Sequence, residues 1–144
     1  VNIEKLSKQI VHSEGIKYEA YKDTLNNWTI GVGHLIRDDE KHLIDREKPL
    51  TNEEVMVIFH RDLNQAIDDA RKFIDEESIE ESAFHVVVDM AFNLGFPKLM
   101  RFQNFQQALK EKDYKKASRE MLDSLWAKQL PNRSKRLAKQ MREA

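Results

Sequence analysis

Between Tyr18 and Gly33 the chain reads as strand, turn and strand, and almost everything outside that stretch carries helical spacing. So short an extended stretch limits the fold to a small antiparallel sheet, because Tyr18 to Lys22 and the strand opening at Trp28 are joined by the turn Asp23-Thr24-Leu25-Asn26-Asn27. In Trp28-Thr29-Ile30-Gly31-Val32-Gly33, alternation predicts bulky residues on one face and Thr29 with two glycines on the other. That second face would be bare enough for a bulky polymer to approach.

Helix signals surround this stretch. Ile3, Leu6, Ile10 and Val11 recur at helical spacing and Gly15 supplies a stop, so a first helix closes on Glu14. Thr51-Asn52-Glu53-Glu54 and Ser78-Ile79-Glu80-Glu81 both fit the capping box, in which a hydroxyl and a glutamate satisfy the first free amides of a helix. The helix after Thr51 carries Val55, Ile58, Phe59, Leu63, Ile67, Ala70 and Ile74, long enough to connect an N-terminal lobe to a C-terminal one. The second, from Phe84 to Phe92, is apolar on most sides, which predicts a helix through the C-terminal core that Gly95 and Pro97 end. Phe102, Phe105 and Leu109, then Tyr114, Ala117, Met121 and Leu125, are spaced to pack shorter helices around it. The fold class expected is α+β and mostly helical.

The chemistry suggested by the extended stretch rests on two carboxyl groups in different surroundings. Glu14 lies four residues after Ile10, so it leans toward the buried stripe of its helix, and it sits where the helix dipole is negative. Both effects favour the neutral acid, as a proton donor requires. Asp23 stands in a wet turn, a setting that suits a carboxylate activating water or stabilising positive charge on a sugar ring. The Thr29 hydroxyl could orient that water.

Composition narrows the function classes. A chain of 144 residues with 40% hydrophobic and 34% charged residues fits one soluble domain able to bury a core, and a formal net charge of −1 argues against a general nucleic-acid binder. With no cysteine, a disulfide scaffold is excluded. No apolar run is long enough to span a membrane, and Glu4, Lys5 and Lys8 interrupt any signal-peptide core. The five histidines, His12, His34, His42, His60 and His85, show no metal-ligand spacing, so neither metal nor cofactor is expected. Gly31-Val32-Gly33 lacks the third glycine of a dinucleotide loop, since Ile36 stands in its place. The basic tail, Lys128, Arg133, Lys135, Arg136, Lys139 and Arg142, reads equally as a solvated helix face or as attraction to an anionic wall.

Glu14, Tyr21-Lys22-Asp23-Thr24 and Trp28-Thr29-Ile30-Gly31-Val32-Gly33-His34-Leu35 together resemble the catalytic stretch of the phage-type lysozymes, glycoside hydrolase family 24, with the T-even phage branch nearest. The resemblance continues through Phe92-Asn93-Leu94-Gly95 and through Trp126 with Pro131-Asn132-Arg133. It implies a two-lobed lysozyme-like domain over residues 1–144. Its β-containing N-terminal lobe spans about 13–58 and its connecting helix about 51–74; a helical C-terminal lobe covers about 75–144, with helix 1–13 packed on it.

The resemblance also implies a muramidase that cuts the β-1,4 bond between N-acetylmuramic acid and N-acetylglucosamine in peptidoglycan. Glu14 would be the general acid, Asp23 the carboxylate that positions or activates water, and Thr29 the hydroxyl that holds that water. Leu35 and Phe92 match substrate-binding positions, and His34 would face Asp62 in a structural ion pair. If Asp23 activates water, the carboxyls should stand about 6.5–9.5 Å apart and the product should be inverted. A lytic transglycosylase and a wall-binding module of a phage tail are the alternatives. Phe105 and Glu120 depart from small polar residues in the family, and the segment from Leu35 to Thr51 is shorter. The partners implied are peptidoglycan and no nucleic acid, for a monomer that does not insert in membranes. It would collect in the host cytoplasm and reach the wall by holin-dependent release.

Overall fold

Asn2 opens the first helix in the computed structural model, which describes all 144 residues: its side chain accepts the Lys5 N–H at 3.0 Å, and α1 runs over Ile3–Glu14. Leu6 and Ile10 are fully buried beneath it. Gly15 ends the helix with a φ of 73°, a backbone state that glycine adopts without a Cβ clash, and returns its N–H to the Val11 carbonyl at 2.7 Å. Two units divide the chain, residues 2–64 and residues 65–144 with Val1.

In the first unit a three-stranded antiparallel sheet follows, with β1 (Lys17–Lys22), β2 (Trp28–Gly31) and β3 (His34–Leu35) in chain order. Register pairs Tyr21 with Thr29 and Lys22 with Trp28, and it slips between Lys17 and Tyr21. Thr29 pairs with Leu35 and Ile30 with His34. A strand continuing to Gly33, as alternation predicts, is not what forms. Gly31 and Gly33 have φ of 68° and 60°, so the chain turns back through them, and the glycines serve the turn instead of a bare strand face.

A 3-10 helix over Asp38–Leu43 leads to α2, Asn52–Phe73, which continues from the first unit into the second. Thr51 and Glu54 form the capping box reciprocally: Thr51 N–H donates to Glu54 Oε1 at 3.0 Å, and Glu54 N–H donates to Thr51 Oγ1 at 3.2 Å. On the first unit's side, α2 buries Val55, Phe59 and Leu63, a spacing of four that keeps one face inward.

In the second unit α2 buries Ala66, Ile67, Ala70 and Phe73, and a short 3-10 turn, Glu76–Ser78, precedes α3, Glu81–Leu94. The capping box read at Ser78 does not form. Ser78 Oγ donates to the Asp75 carbonyl at 2.6 Å, so the hydroxyl closes the 3-10 turn, and α3 starts after Glu80 without a side-chain cap. Residues Ala83 to Ala91 are all buried, as expected of a central helix. Gly95, at φ 78°, ends α3.

The remaining helices are α4 (Phe96–Leu99), α5 (Gln103–Lys110), α6 (Tyr114–Leu122), α7 (Leu125–Gln129) and α8 (Pro131–Arg142). Phe73 stacks on Phe105 at 5.9 Å between ring centroids, which places Phe105 in the core. Trp126 packs edge-on to Phe102, and its indole N–H donates to Asn93 Oδ1 at 2.9 Å. A buried ion pair fastens α8 to α3: Arg133 Nε donates to Asp89 Oδ1 at 3.0 Å, and Arg133 Nη2 reaches both that oxygen and the Asp89 carbonyl.

Candidate active site

Glu14 is positioned from two directions. Its helix delivers it beside the β2–β3 turn, and there Gly33 has no side chain to keep it away. A Cβ built on Gly33 would stand 2.5 Å from Glu14 Cδ and 2.7 and 2.8 Å from its two oxygens. The half-buried carboxyl therefore fills the space that any other residue at position 33 would claim.

Asp23 is fixed by its own turn. Oδ1 accepts the backbone N–H of Leu25 at 2.9 Å and of Asn27 at 2.8 Å, while the Asp23 N–H donates to the Asn27 carbonyl at 2.9 Å. Asn26 takes a left-handed φ of 66° to close the loop, which asparagine tolerates better than most residues. Both side-chain bonds end on Oδ1, and Oδ2 is left for other partners.

Tyr21 connects the two carboxyls. Burial, then the charges of Glu14 and then of Asp23, hold its phenol above the ordinary value of 10.0. The hydroxyl stays protonated in the overlapping fields of both groups. Directly across the sheet from Tyr21 lies Thr29, which is 3% exposed and donates from Oγ1 to the Asn27 carbonyl at 3.0 Å. That bond uses the hydroxyl proton and leaves the oxygen as an acceptor. Leu35, paired with Thr29 and half exposed, extends this face.

His34 faces a different environment and is 7% exposed. Its Nδ1 lies 2.6 Å from Asp62 Oδ2, and its Nε2 lies 2.9 Å from Glu40 Oε1. Glu40 Oε1 also accepts from Arg37 N–H at 3.1 Å and from Arg37 Nε at 3.2 Å. Burial pulls the imidazole pKa down, but the hydrogen bonds to Asp62 and Glu40 and their charges outweigh it, so His34 lies above 6.5. For Glu40, burial raises the carboxyl, and the contacts from His34 and Arg37 bring it below 4.5. With a carboxylate on each ring nitrogen, the imidazolium form of His34 is favoured, and the residue acts as a clasp within the unit.

The structure thus gathers Glu14, Asp23, Thr29, Leu35, His34 and Asp62 in the first unit, while Phe92 lies near the end of α3 in the second. No cluster of three or more histidine, aspartate or glutamate side chains is arranged to hold a metal. Three contributors escaped the sequence reading. Gly33 seats Glu14, Tyr21 senses both carboxyls, and Glu40 is the second partner of His34. Tyr21 could have been found from its spacing of two from Asp23, but the other two depend on contacts across the chain.

Comparison with known proteins gives the family. The profile of the family described as "Phage lysozyme" matches residues 11–143. "Probable T4-type lysozyme 1" of Dictyostelium discoideum is 27% identical over 94% of this chain and 92% of its own length. "Peptidoglycan hydrolase gp36" of Pseudomonas phage phiKMV is 26% identical over 93% of this chain but only 15% of that longer protein. The "SAR-endolysin" of Haemophilus phage HP1 is 30% identical over 63% of this chain and 46% of its own length. With a match spanning all but the first ten residues and the last, the chain belongs to the phage lysozyme family.

Proposed function

We propose that this chain hydrolyses the β-1,4 bond between N-acetylmuramic acid and N-acetylglucosamine in peptidoglycan, with Glu14 as general acid and Asp23 as the carboxylate that activates water. The observation that carries the proposal is geometric: Glu14 is seated against Gly33 of the β2–β3 turn, and Asp23 has Oδ1 fixed by two amides in the β1–β2 turn of the same small sheet. The Tyr21 phenol, raised first by burial and then by the charges of Glu14 and Asp23, is consistent with glycoside hydrolysis by a carboxyl pair. Support comes also from the family and from relatives named as lysozymes, a peptidoglycan hydrolase and an endolysin.

The roles follow from how each group is held. Seated on Gly33, Glu14 delivers a proton to the leaving oxygen of the glycosidic bond. Asp23, with Oδ1 fixed by two amides, presents Oδ2 to a water that the Thr29 oxygen helps orient. That water attacks the anomeric carbon from the opposite face of the sugar and passes its proton to Asp23. The expected product is a reducing sugar of inverted configuration. Leu35 and Phe92 contact the substrate in this reading, and no cofactor takes part.

Purified peptidoglycan digested by the chain tests the proposal. Mass spectrometry should show reducing-end muropeptides, and proton NMR of the fresh product should show inversion. Anhydro sugars would make the chain a transglycosylase, and intact walls with bound protein would make it a binding module. No helix is long and apolar enough to cross a membrane. We place the protein as a monomer in the host cytoplasm until a holin-type pore opens, and expression with and without such a pore tests this through culture lysis.

A further inference from the structure

We propose that Glu40 is a positioning residue for the proposed proton donor, gripping His34 so that the adjoining Gly33 stays beneath the Glu14 carboxyl; the inference rests on the hydrolase reading above. Glu14 is seated on a residue with no side chain of its own, so the neighbours of Gly33 decide where that seat lies. Val32, 1% exposed, buries the tip of the turn, and His34 holds its exit. The ladder alone gives that exit little hold, because β3 is two residues long. Ile30 pairs with His34, Thr29 pairs with Leu35, and the Ile36 N–H donates to the Trp28 carbonyl at 2.9 Å.

The imidazole supplies what the ladder lacks. Asp62 on α2 meets Nδ1, and Glu40 on the 3-10 helix meets Nε2. One contact would let the ring pivot about it, whereas two, on different edges and from separate elements, fix where the ring stands. Arg37 steadies the second anchor, since its backbone N–H and its Nε both donate to the Glu40 oxygen that meets His34.

The local chain is bent to make this contact. Asp38, Asp39, Lys41 and His42 are all exposed, but the segment kinks at Glu40, at φ −119° and ψ 16°, and Glu40 is buried with Leu43. A glutamate is seldom buried without partners, because its lost hydration must be replaced. Here His34 and Arg37 replace it, and His34 leads on to the proposed site. The α-carbons of Gly33 and His34 stand about 3.8 Å apart across one peptide bond, so a shift of His34 is a shift of the seat.

Two conservative variants separate reach from charge. Glu40→Asp keeps the charge and withdraws it by one methylene, while Glu40→Gln loses the charge and keeps an oxygen to accept the His34 Nε2–H. At about pH 6, below the ordinary value that His34 exceeds, the ring has a proton for each contact. On purified peptidoglycan, Glu40→Asp should lower kcat about tenfold with KM unchanged, and Glu40→Gln should stay within about twofold of the parent despite its lower stability. In a Gly33→Ala background, where the seat is already lost, Glu40→Asp should cost nothing further in kcat. A Glu40→Gln rate at or below that of Glu40→Asp would make the role one of charge, and additive losses would make it one of stability alone; either result overturns the proposal.

Carbon-13 NMR of the glutamate carboxyls tests the placement without turnover, with Glu14→Gln assigning the Glu14 signal. Glu40→Asp leaves the net charge unchanged and should shift that signal, and an unshifted signal would overturn the proposal. If the parent left peptidoglycan uncut, the hydrolase reading would fall, while this spectrum would still decide whether Glu40 sets the place of Glu14.

Discussion

The carboxyl of Glu14 rests on the bare α-carbon of Gly33, so the proposed proton donor is placed by a hairpin turn as much as by its own helix. A helix end alone leaves a glutamate several rotamers. The contact narrows them.

Gly33→Ala should therefore harm activity beyond its effect on stability. Gly31 provides the control, because it shares the left-handed backbone but its added Cβ would meet only Val55 Cγ1 at an ordinary 3.7 Å. Each alanine should cost about 1 kcal/mol from backbone strain, measured by denaturant unfolding. Only Gly33→Ala should lower kcat, by about a hundredfold, since displacement of a reacting group by an ångström has that order of effect.

The clasp around His34 sets a pH window for stability. His34 lies above its ordinary 6.5, so its contribution is complete below about pH 6.5 and is lost as pH rises through the folded value. Glu40 lies below its ordinary 4.5, so its contribution is complete above about pH 4.5 and is lost as pH falls through the folded value. The excess stability of the parent over Glu40→Gln should peak between those limits. Melting curves across pH measure it, and a difference that grows toward alkaline pH would contradict the assignment.

In the second unit, Asp89 is fully buried and bonded to Arg133. Arg133→Met leaves that carboxylate without its cation and should cost about 3–5 kcal/mol of unfolding free energy. Replacing both residues with apolar ones of similar size should cost less than the sum of the single changes. Calorimetry of the two single variants and the pair checks this.

Two hydroxyls that look alike in sequence should behave differently. Thr51→Ala removes a formed cap and should destabilise by about 1 kcal/mol. Ser78→Ala removes a bond to Asp75 inside a 3-10 turn and no helix cap, so its cost should be smaller. Chemical denaturation of the two variants separates the cases.

These contrasts show what local pattern reveals and what it hides. Gly15 and Gly95 as helix stops, the Thr51 box and the turn from Asp23 to Asn27 are short-range features, decided by residues within four positions of one another. Ser78 misleads because the nearby Asp75 carbonyl competes for its hydroxyl. Gly31 and Gly33 mislead because alternation treats a missing side chain as an empty face and carries no information on the sign of φ. The meeting of His34 with Asp62, 28 residues away, followed only from the family resemblance, and the part of Glu40 depends on a kink in the 3-10 segment at that residue. Resemblance also named Glu14 and Asp23, and Tyr21 stands two residues from Asp23, but the seat on Gly33 depends on a contact between residues 19 positions apart.

Turnover of purified peptidoglycan by Glu14→Gln tests the central claim most directly. The substitution keeps size and shape and removes the transferable proton, so kcat should fall by about 10²–10⁴-fold while the unfolding curve stays close to that of the parent. Turnover near the parent's rate from a folded Glu14→Gln protein would contradict the account, because the leaving oxygen would then be drawing its proton from another group.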